Sequence, residues 1–196
     1  MTTTALLIRH AHTDAIGNSL SGRLPDIGLS NAGCAQVERL RTNLRGPLAA
    51  VYSSPLERAL RTAAPLAADR RMQVLINEEL NEIDFGAWTG MTFADLEPLA
   101  EWREFNSRRS TATVPGGERA VDVQGRILAF LGRTAALVAG GTFAVVSHCD
   151  VIRAAVLYYV HMSLDRFAEI DIDPASVTAV DLTGAQPRLL FVNASW

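Results

Sequence analysis

Short apolar runs along the chain alternate with longer stretches in which apolar residues recur every three or four positions. Thr4 to Ile8 is a brief apolar run, which predicts a buried strand. Leu29-Ser30 then leads into a segment with Cys34, Val37, Leu40 and Leu44 at helical spacing, predicting a helix with those residues on one face. Ala49 to Ser53 predicts a second strand. Ser54-Pro55-Leu56-Glu57 follows it and reads as a helix start, with serine as N-cap, proline first and glutamate third. That helix either runs to about Ala68 with a kink at Pro65 or stops just before the proline. Gln73 to Ile76 is a short third strand. A long helix is predicted from Glu118 to Val138, with Val121, Leu128, Leu131, Ala135 and Val138 on its stripe. Phe143 to Ser147 reads as a strand and Asp150 to Tyr159 as a helix. Ser176 to Leu182 and Arg188 to Val192 read as two strands of a hairpin.

Between these patterned parts, residues 77–117 are irregular and rich in Gly, Pro and Trp. Within one domain spanning 1–196, the stretch 83–117 reads as a cap-like insertion of loops and short helices. Strands alternating with helices predict an α/β layered sheet. At 196 residues the chain is long enough to bury a core without disulfides. Its 48% hydrophobic and 20% charged content excludes disorder. Lys and Arg total 18 against 21 Asp and Glu, a net charge of −3, which argues against a nucleic-acid partner. A local pocket for a small anion is compatible with that global sign. Cys34 and Cys149 form no disulfide framework and no zinc spacing. The apolar run Ala5 to Ile8 is too short for a secretory signal. Thr134 to Cys149 is uncharged but falls short of a membrane span. A cytoplasmic protein with no membrane partner is expected.

The chemistry gathers where strands end. The first predicted strand ends in Arg9-His10. The second ends in Ser53-Ser54, with Arg58 in the helical turn after it. The strand 143–147 ends in His148. Ligands of open α/β sheets bind beyond the carboxyl ends of strands, so Arg9, His10, Arg58 and His148 would converge into an anion site. Taken singly, each has an ordinary structural reading: a histidine after a strand as a hydrogen-bonding residue, an arginine in a first turn as a surface charge.

Leu7-Ile8-Arg9-His10-Ala11-His12-Thr13 resembles the Arg-His-Gly signature of the histidine phosphatase superfamily, also called phosphoglycerate mutase-like. Ser53 to Ala63 resembles that family's second phosphate-binding segment. Leu80-Asn81-Glu82-Ile83-Asp84-Phe85-Gly86-Ala87-Trp88-Thr89-Gly90 resembles its acid-bearing segment. Pro115-Gly116-Gly117-Glu118 resembles the start of its later long helix, and Ser147-His148-Cys149-Asp150-Val151-Ile152-Arg153 its second-histidine segment. The matches follow family order. The resemblance implies a three-layer α/β/α fold around a mostly parallel sheet with one antiparallel edge. It also implies a phosphatase acting on a small phosphorylated substrate, with His10 as nucleophile and Glu82 as general acid and base. Arg9, Arg58 and His148 would hold the phosphoryl oxygens, and no metal or organic cofactor is implied. Glu78, Glu79 and Asp84 read as solvated charges. Thr13, Asn18 and Arg23 are expected to supply further polar contacts to substrate, with Gly17 and Gly22 beside them.

The chain departs from the family pattern in places. Ala11 replaces a glycine, and His12 stands at the pocket rim or faces solvent. Ile16 occupies the position of a family asparagine. Cys149-Asp150 replaces two glycines, with Asp150 expected to cap the following helix and point away. Arg108 and Arg109 read as a solvated turn, with contact to a second anionic group as the other reading. His10-x-His12 and His148-x-Asp150 could by residue type ligate a metal, although Arg9 and Arg58 would repel one. A non-catalytic phosphate binder and a mutase are the remaining alternatives. The short chain favours phosphatase over mutase. Oligomeric state is open, a homodimer included.

Overall fold

The buried runs of the sequence become the middle of a six-stranded sheet in the computed structural model, which describes residues 2–196. The strands are β1 (Thr4–Arg9), β2 (Ala50–Ser53), β3 (Val74–Ile76), β4 (Thr142–Ser147), β5 (Val177–Asp181) and β6 (Arg188–Ala194). Their spatial order is β3-β2-β4-β1-β5-β6. The first four are mutually parallel, β5 runs antiparallel to β1, and β6 antiparallel to β5. The helices are α1 (Asn31–Asn43), α2 (Glu57–Ala68), α3 (Phe93–Leu96), α4 (Ala100–Ser107), α5 (Ala120–Leu137) and α6 (Cys149–Tyr159).

Side chains alternate across a strand, and both faces of this sheet are covered. Ala5, Leu7, Phe143 and Val145 point into a core built with α5 and α6, through Val123, Ile127, Phe130, Leu131, Ile152 and Val156. Ile8, Val51, Ala144 and Val146 point to the other side, against Leu40 of α1 and Ala59, Ala63 and Leu66 of α2. A strand buried on both faces reads as a continuous apolar run, which explains why β1 and β4 show no alternation in sequence. The segment 83–117 joins the first of these cores through Phe85, Trp88, Leu96 and Phe105. Trp88 meets Trp102 and Phe105 edge to face, with centroids 5.4 and 5.6 Å apart.

Three local readings change. α2 begins at Glu57 rather than Pro55, with Leu56 as its N-cap and no side-chain cap. The Ser54 hydroxyl lies ahead of the helix, 2.8 Å from His148 Nε2, and accepts from the Leu56 N–H at 3.3 Å. The helix continues through Pro65 to Ala68. α5 is rotated from the stripe read in sequence: its buried face is Val123, Ile127, Phe130, Leu131 and Thr134, while Val121, Leu128, Ala135 and Val138 flank it half-buried. In α1, Val37 and Leu40 are inward as expected, but Cys34 is exposed and Gly33 takes the inner position. A Cβ at Gly33 would lie 2.1 Å from the His12 carbonyl oxygen, so only glycine lets this helix approach the β1 exit loop. Ser30 is the N-cap of this helix, its hydroxyl accepting from the Gly33 N–H.

The parallel register sets the site. Arg9 lies level with Ser147, and Ser53 with Val146. The three strands therefore end together, and the residues after them emerge at one edge.

Candidate active site

A cavity of about 390 Å³ opens beyond the carboxyl ends of β1, β2 and β4. Arg9, His10, Arg58 and Glu82 all line it, together with Thr13, Asp150, Arg109 and Arg153. His10 is 5% exposed. Its Nδ1 lies 2.8 Å from the carbonyl oxygen of Ala11. A carbonyl oxygen only accepts, so Nδ1 carries the proton and Nε2 keeps its lone pair. Burial, and then the Arg58 guanidinium, push the His10 pKa down to about 3. The imidazole is thus neutral across the physiological range, in the tautomer that leaves a nucleophilic nitrogen. Ala11 is itself fixed: its N–H donates to Thr62 Oγ1 at 3.0 Å, and that hydroxyl donates to the Arg58 carbonyl at 2.7 Å. One chain of hydrogen bonds therefore ties the β1 exit to the first turns of α2.

Arg58 is 2% exposed and donates through Nη2 to the Gly22 carbonyl at 2.7 Å. Its Nη1 and the Nε of Arg9 are buried without a partner. Arg9 is anchored through Nη1 to the Ile172 carbonyl. Unpartnered buried donors are uncommon and costly, and these two belong to arginines that line the cavity beside His10.

His148 is wholly buried, with its ring edge-on to His10 at 5.1 Å between centroids. Its Nε2 lies 2.8 Å from Ser54 Oγ, and Nδ1 has no partner. Burial and the charges of its cationic neighbours hold its pKa well below the ordinary value. His148 therefore sits behind His10 rather than on the cavity surface.

Glu82 is 8% exposed. Burial, and then the nearby Asp150 carboxylate, push its pKa up to about 7, while the Ile83 N–H, Arg58 and Arg126 work in the opposite direction. Its segment is clamped. Arg23 donates to the Glu82 carbonyl at 2.8 Å and to Glu118 at 2.8 Å, and Glu118 also accepts from Arg126 and from the Asp84 N–H. Gly86, at φ +47°, allows this segment to touch Pro115 and Gly116, where a Cβ would fall 2.2 Å from the Pro115 oxygen.

The other expected contacts divide. Thr13 lines the cavity and is 1% exposed. Arg23 instead supports Glu82 from outside the lining, and the exposed Asn18 spends its amide on the Asp14 carbonyl at 2.8 Å. His12 turns away to Ser30, with Nδ1 2.9 Å from the hydroxyl, and so braces the cap of α1.

Asp150 does not point away. It lines the cavity and accepts from Arg109 Nη1 at 2.7 Å. Arg109 is likewise not a solvated turn: it is 6% exposed and sandwiched between the rings of Phe105 and Phe167, at 4.3 and 3.7 Å. Arg109 lies past the end of α4 at Ser107, so no helical spacing in the sequence announces its contact with Phe105. With His12 on Ser30 and Asp150 on Arg109, the ligand set suggested by residue type is not assembled. No group of three or more His, Cys, Asp or Glu side chains among the described residues is placed to hold a metal. No helix among them is long and apolar enough to cross a membrane.

Comparison with known proteins points the same way as this geometry. A bifunctional protein of Mycobacterium tuberculosis is 36% identical over 93% of this chain and 54% of its own length, so the chain spans about half of that relative. The adenosylcobalamin/alpha-ribazole phosphatase of Escherichia coli is 29% identical over 96% of this chain and 94% of its own. Among solved structures, a mutant phosphoserine phosphatase from Entamoeba histolytica in complex with phosphoserine superposes with a TM-score of 0.88. It is 26% identical, covering 98% of this chain and 97% of that one. The sequence pattern of the histidine phosphatase superfamily (branch 1) matches residues 5–195, and the chain belongs to that family.

Proposed function

We propose that this protein is a phosphomonoesterase that hydrolyses a small phosphorylated metabolite through a phosphohistidine formed on His10. The observation that carries this reading is the state of His10. It is a buried, neutral imidazole whose Nδ1 proton is held by Ala11, so Nε2 is free to attack beside Arg9 and Arg58. In the first step Nε2 bonds to phosphorus, the ester P–O bond breaks, and Glu82 gives its proton to the departing oxygen. A carboxyl with a pKa near 7 is suited to that exchange. In the second step water attacks phosphorus, Glu82 takes the water's proton, and the P–N bond breaks to release phosphate and restore neutral His10. Arg9 and Arg58 balance the charge of the transferring group, with His148 supporting from behind; in phosphoryl transfer, positioning and electrostatics carry most of the catalysis. Thr13 is a further polar contact at the site.

The names of the Escherichia coli and Entamoeba histolytica relatives, both phosphatases, support hydrolysis over transfer between acceptors. The test is phosphate release from a panel of phosphomonoesters by the wild-type chain and by His10→Ala. Release abolished in the variant is expected. Release persisting in His10→Ala, or efficient conversion between phosphoglycerate isomers with little free phosphate, would overturn the reading.

A further inference from the structure

The carbonyl that holds the His10 proton is itself held from outside the cavity. The Ala11 oxygen belongs to the peptide unit that joins Ala11 to His12. That unit is planar and trans, so its C=O and its N–H point in opposite directions and turn together about the Ala11 Cα–C bond. Whatever binds the His12 N–H therefore aims the Ala11 carbonyl. The binder is Gln36 of α1, whose Oε1 accepts the His12 N–H at 2.8 Å. At the other end of the same unit, the Ala11 oxygen lies 2.8 Å from His10 Nδ1. One peptide thus links the Gln36 side chain to the imidazole. The Gln36 side chain makes no other hydrogen bond among the described residues.

The start of α1 is shaped for this contact. Ser30, Gly33 and Gln36 recur every three residues and so share one side of the helix. Each of them meets His12. The Ser30 N–H donates to the His12 carbonyl at 3.0 Å, and Gly33 lacks the Cβ that would lie 2.1 Å from that same oxygen. Gln36 then takes the His12 N–H. The preceding peptide is held separately, by Thr62 of α2. Without the Gln36 oxygen the Ala11–His12 unit is free to rotate, and its carbonyl leaves Nδ1. The proton of a neutral imidazole follows the partners of its two nitrogens. Once on Nε2, it occupies the lone pair that must attack phosphorus. Hydrogen bonds in series also polarise one another, so donation to Gln36 makes the Ala11 carbonyl a stronger acceptor. We propose that Gln36 is a positioning residue for the nucleophile: through the Ala11–His12 peptide it keeps the His10 proton on Nδ1 and Nε2 free to attack. This rests on the phosphohistidine reading of His10.

The experiment joins two measurements on the full chain. The first is the ¹⁵N spectrum of the imidazoles near neutral pH, with His10 assigned by its loss in His10→Ala. It reports which ring nitrogen carries the proton and needs no turnover. The second is kcat/KM for p-nitrophenyl phosphate and for an alkyl phosphate, beside inhibition by inorganic phosphate, which reads Arg9 and Arg58. The wild type is expected to show the proton on Nδ1. Gln36→Leu keeps a good helix former but offers no acceptor. It is expected to mix the two tautomers and to lower kcat/KM for both esters by roughly 3–10-fold, the range of one hydrogen bond. Inhibition by phosphate should hold. Gln36→Glu retains an acceptor oxygen and should recover the Nδ1 proton and most of the rate. A wild-type proton on Nε2, a result that needs no variant, overturns the inference. So does Gln36→Leu with the wild-type tautomer, even if slower, because a merely structural brace would act that way. Gln36→Glu as impaired as Gln36→Leu overturns it too. If esters are hydrolysed through His10 while the tautomer ignores Gln36, this role falls and the phosphatase reading stands. If no monoester is hydrolysed, both fall.

Discussion

Removing the carboxyl of Glu82 should injure one kind of substrate far more than another. Glu82→Gln keeps the shape of the side chain but has no proton to give. A positioned general acid contributes ~10²–10⁴-fold, so kcat/KM for an alkyl phosphate should fall by about that factor. An aryl phosphate with a stable phenolate leaving group needs no such proton. Because kcat/KM reports only the steps through the first irreversible bond cleavage, its value for p-nitrophenyl phosphate should fall by less than about tenfold. The wild-type pH profile follows from the same group. Burial and the Asp150 charge push the Glu82 pKa up to about 7, so half of the enzyme holds the acid form there. As pH rises beyond that value the donor is lost, and kcat/KM for alkyl esters should drop about tenfold per unit. The aryl ester should stay nearly flat over the same range. Asp150→Asn removes one of the two causes of the shift, so the descending limb should move to lower pH. The assay is steady-state phosphate or phenolate release between about pH 6 and about pH 9, from the second ionisation of the ester upward. Equal reductions for both ester types in Glu82→Gln, or a flat profile for the alkyl ester, would refute the assignment of Glu82 as proton donor.

Other outcomes follow from the packing. Gly33→Ala puts a methyl 2.1 Å from the His12 carbonyl oxygen and should cost at least about 2 kcal/mol, lowering Tm by ~4–8 °C in a thermal melt; an unchanged Tm would show that α1 does not need this close approach. Arg109→Met leaves Asp150, whose side chain is only 16% exposed, without its partner and should cost about 2–3 kcal/mol. The double variant with Asp150→Asn should recover more than ~1 kcal/mol of the summed destabilisation in a denaturation cycle, and strict additivity would deny the pairing. Phosphate release should survive dialysis against EDTA, whereas activity abolished by EDTA and restored by a divalent ion would return the metallohydrolase reading.

The architecture is open to sequence reasoning because it rests on local signals. The apolar runs of β1 and β4, the helical spacing of Val37 and Leu40 and the hairpin of β5 and β6 each depend on a few adjacent residues. The rule that ligands gather at strand ends is enough to bring Arg9, His10, Arg58 and His148 together. What escapes depends on partners distant in the chain. The proton on His10 Nδ1 is set by a backbone carbonyl, which no residue type announces. Ser54 reads only as a helix cap in sequence, yet its hydroxyl also meets His148, 94 residues later. An anion beside phosphate is unfavourable, so the sequence alone turns Asp150 outward; the cation that neutralises it comes from Arg109, 41 residues earlier. The α5 stripe differs by a fraction of a turn because that helix is apolar around much of its circumference, and tertiary packing chooses among such faces.

The central claim is that phosphate passes through a covalent bond to His10. Brief incubation of the full chain with a ³²P-labelled phosphomonoester, denaturing quench under alkaline conditions and peptide mapping test it directly. Acid-labile, alkali-stable label on the peptide that contains His10, appearing before free phosphate and missing in His10→Ala, is the predicted result. Steady phosphate release from His10→Ala, with no label on that peptide in the wild type, would contradict it.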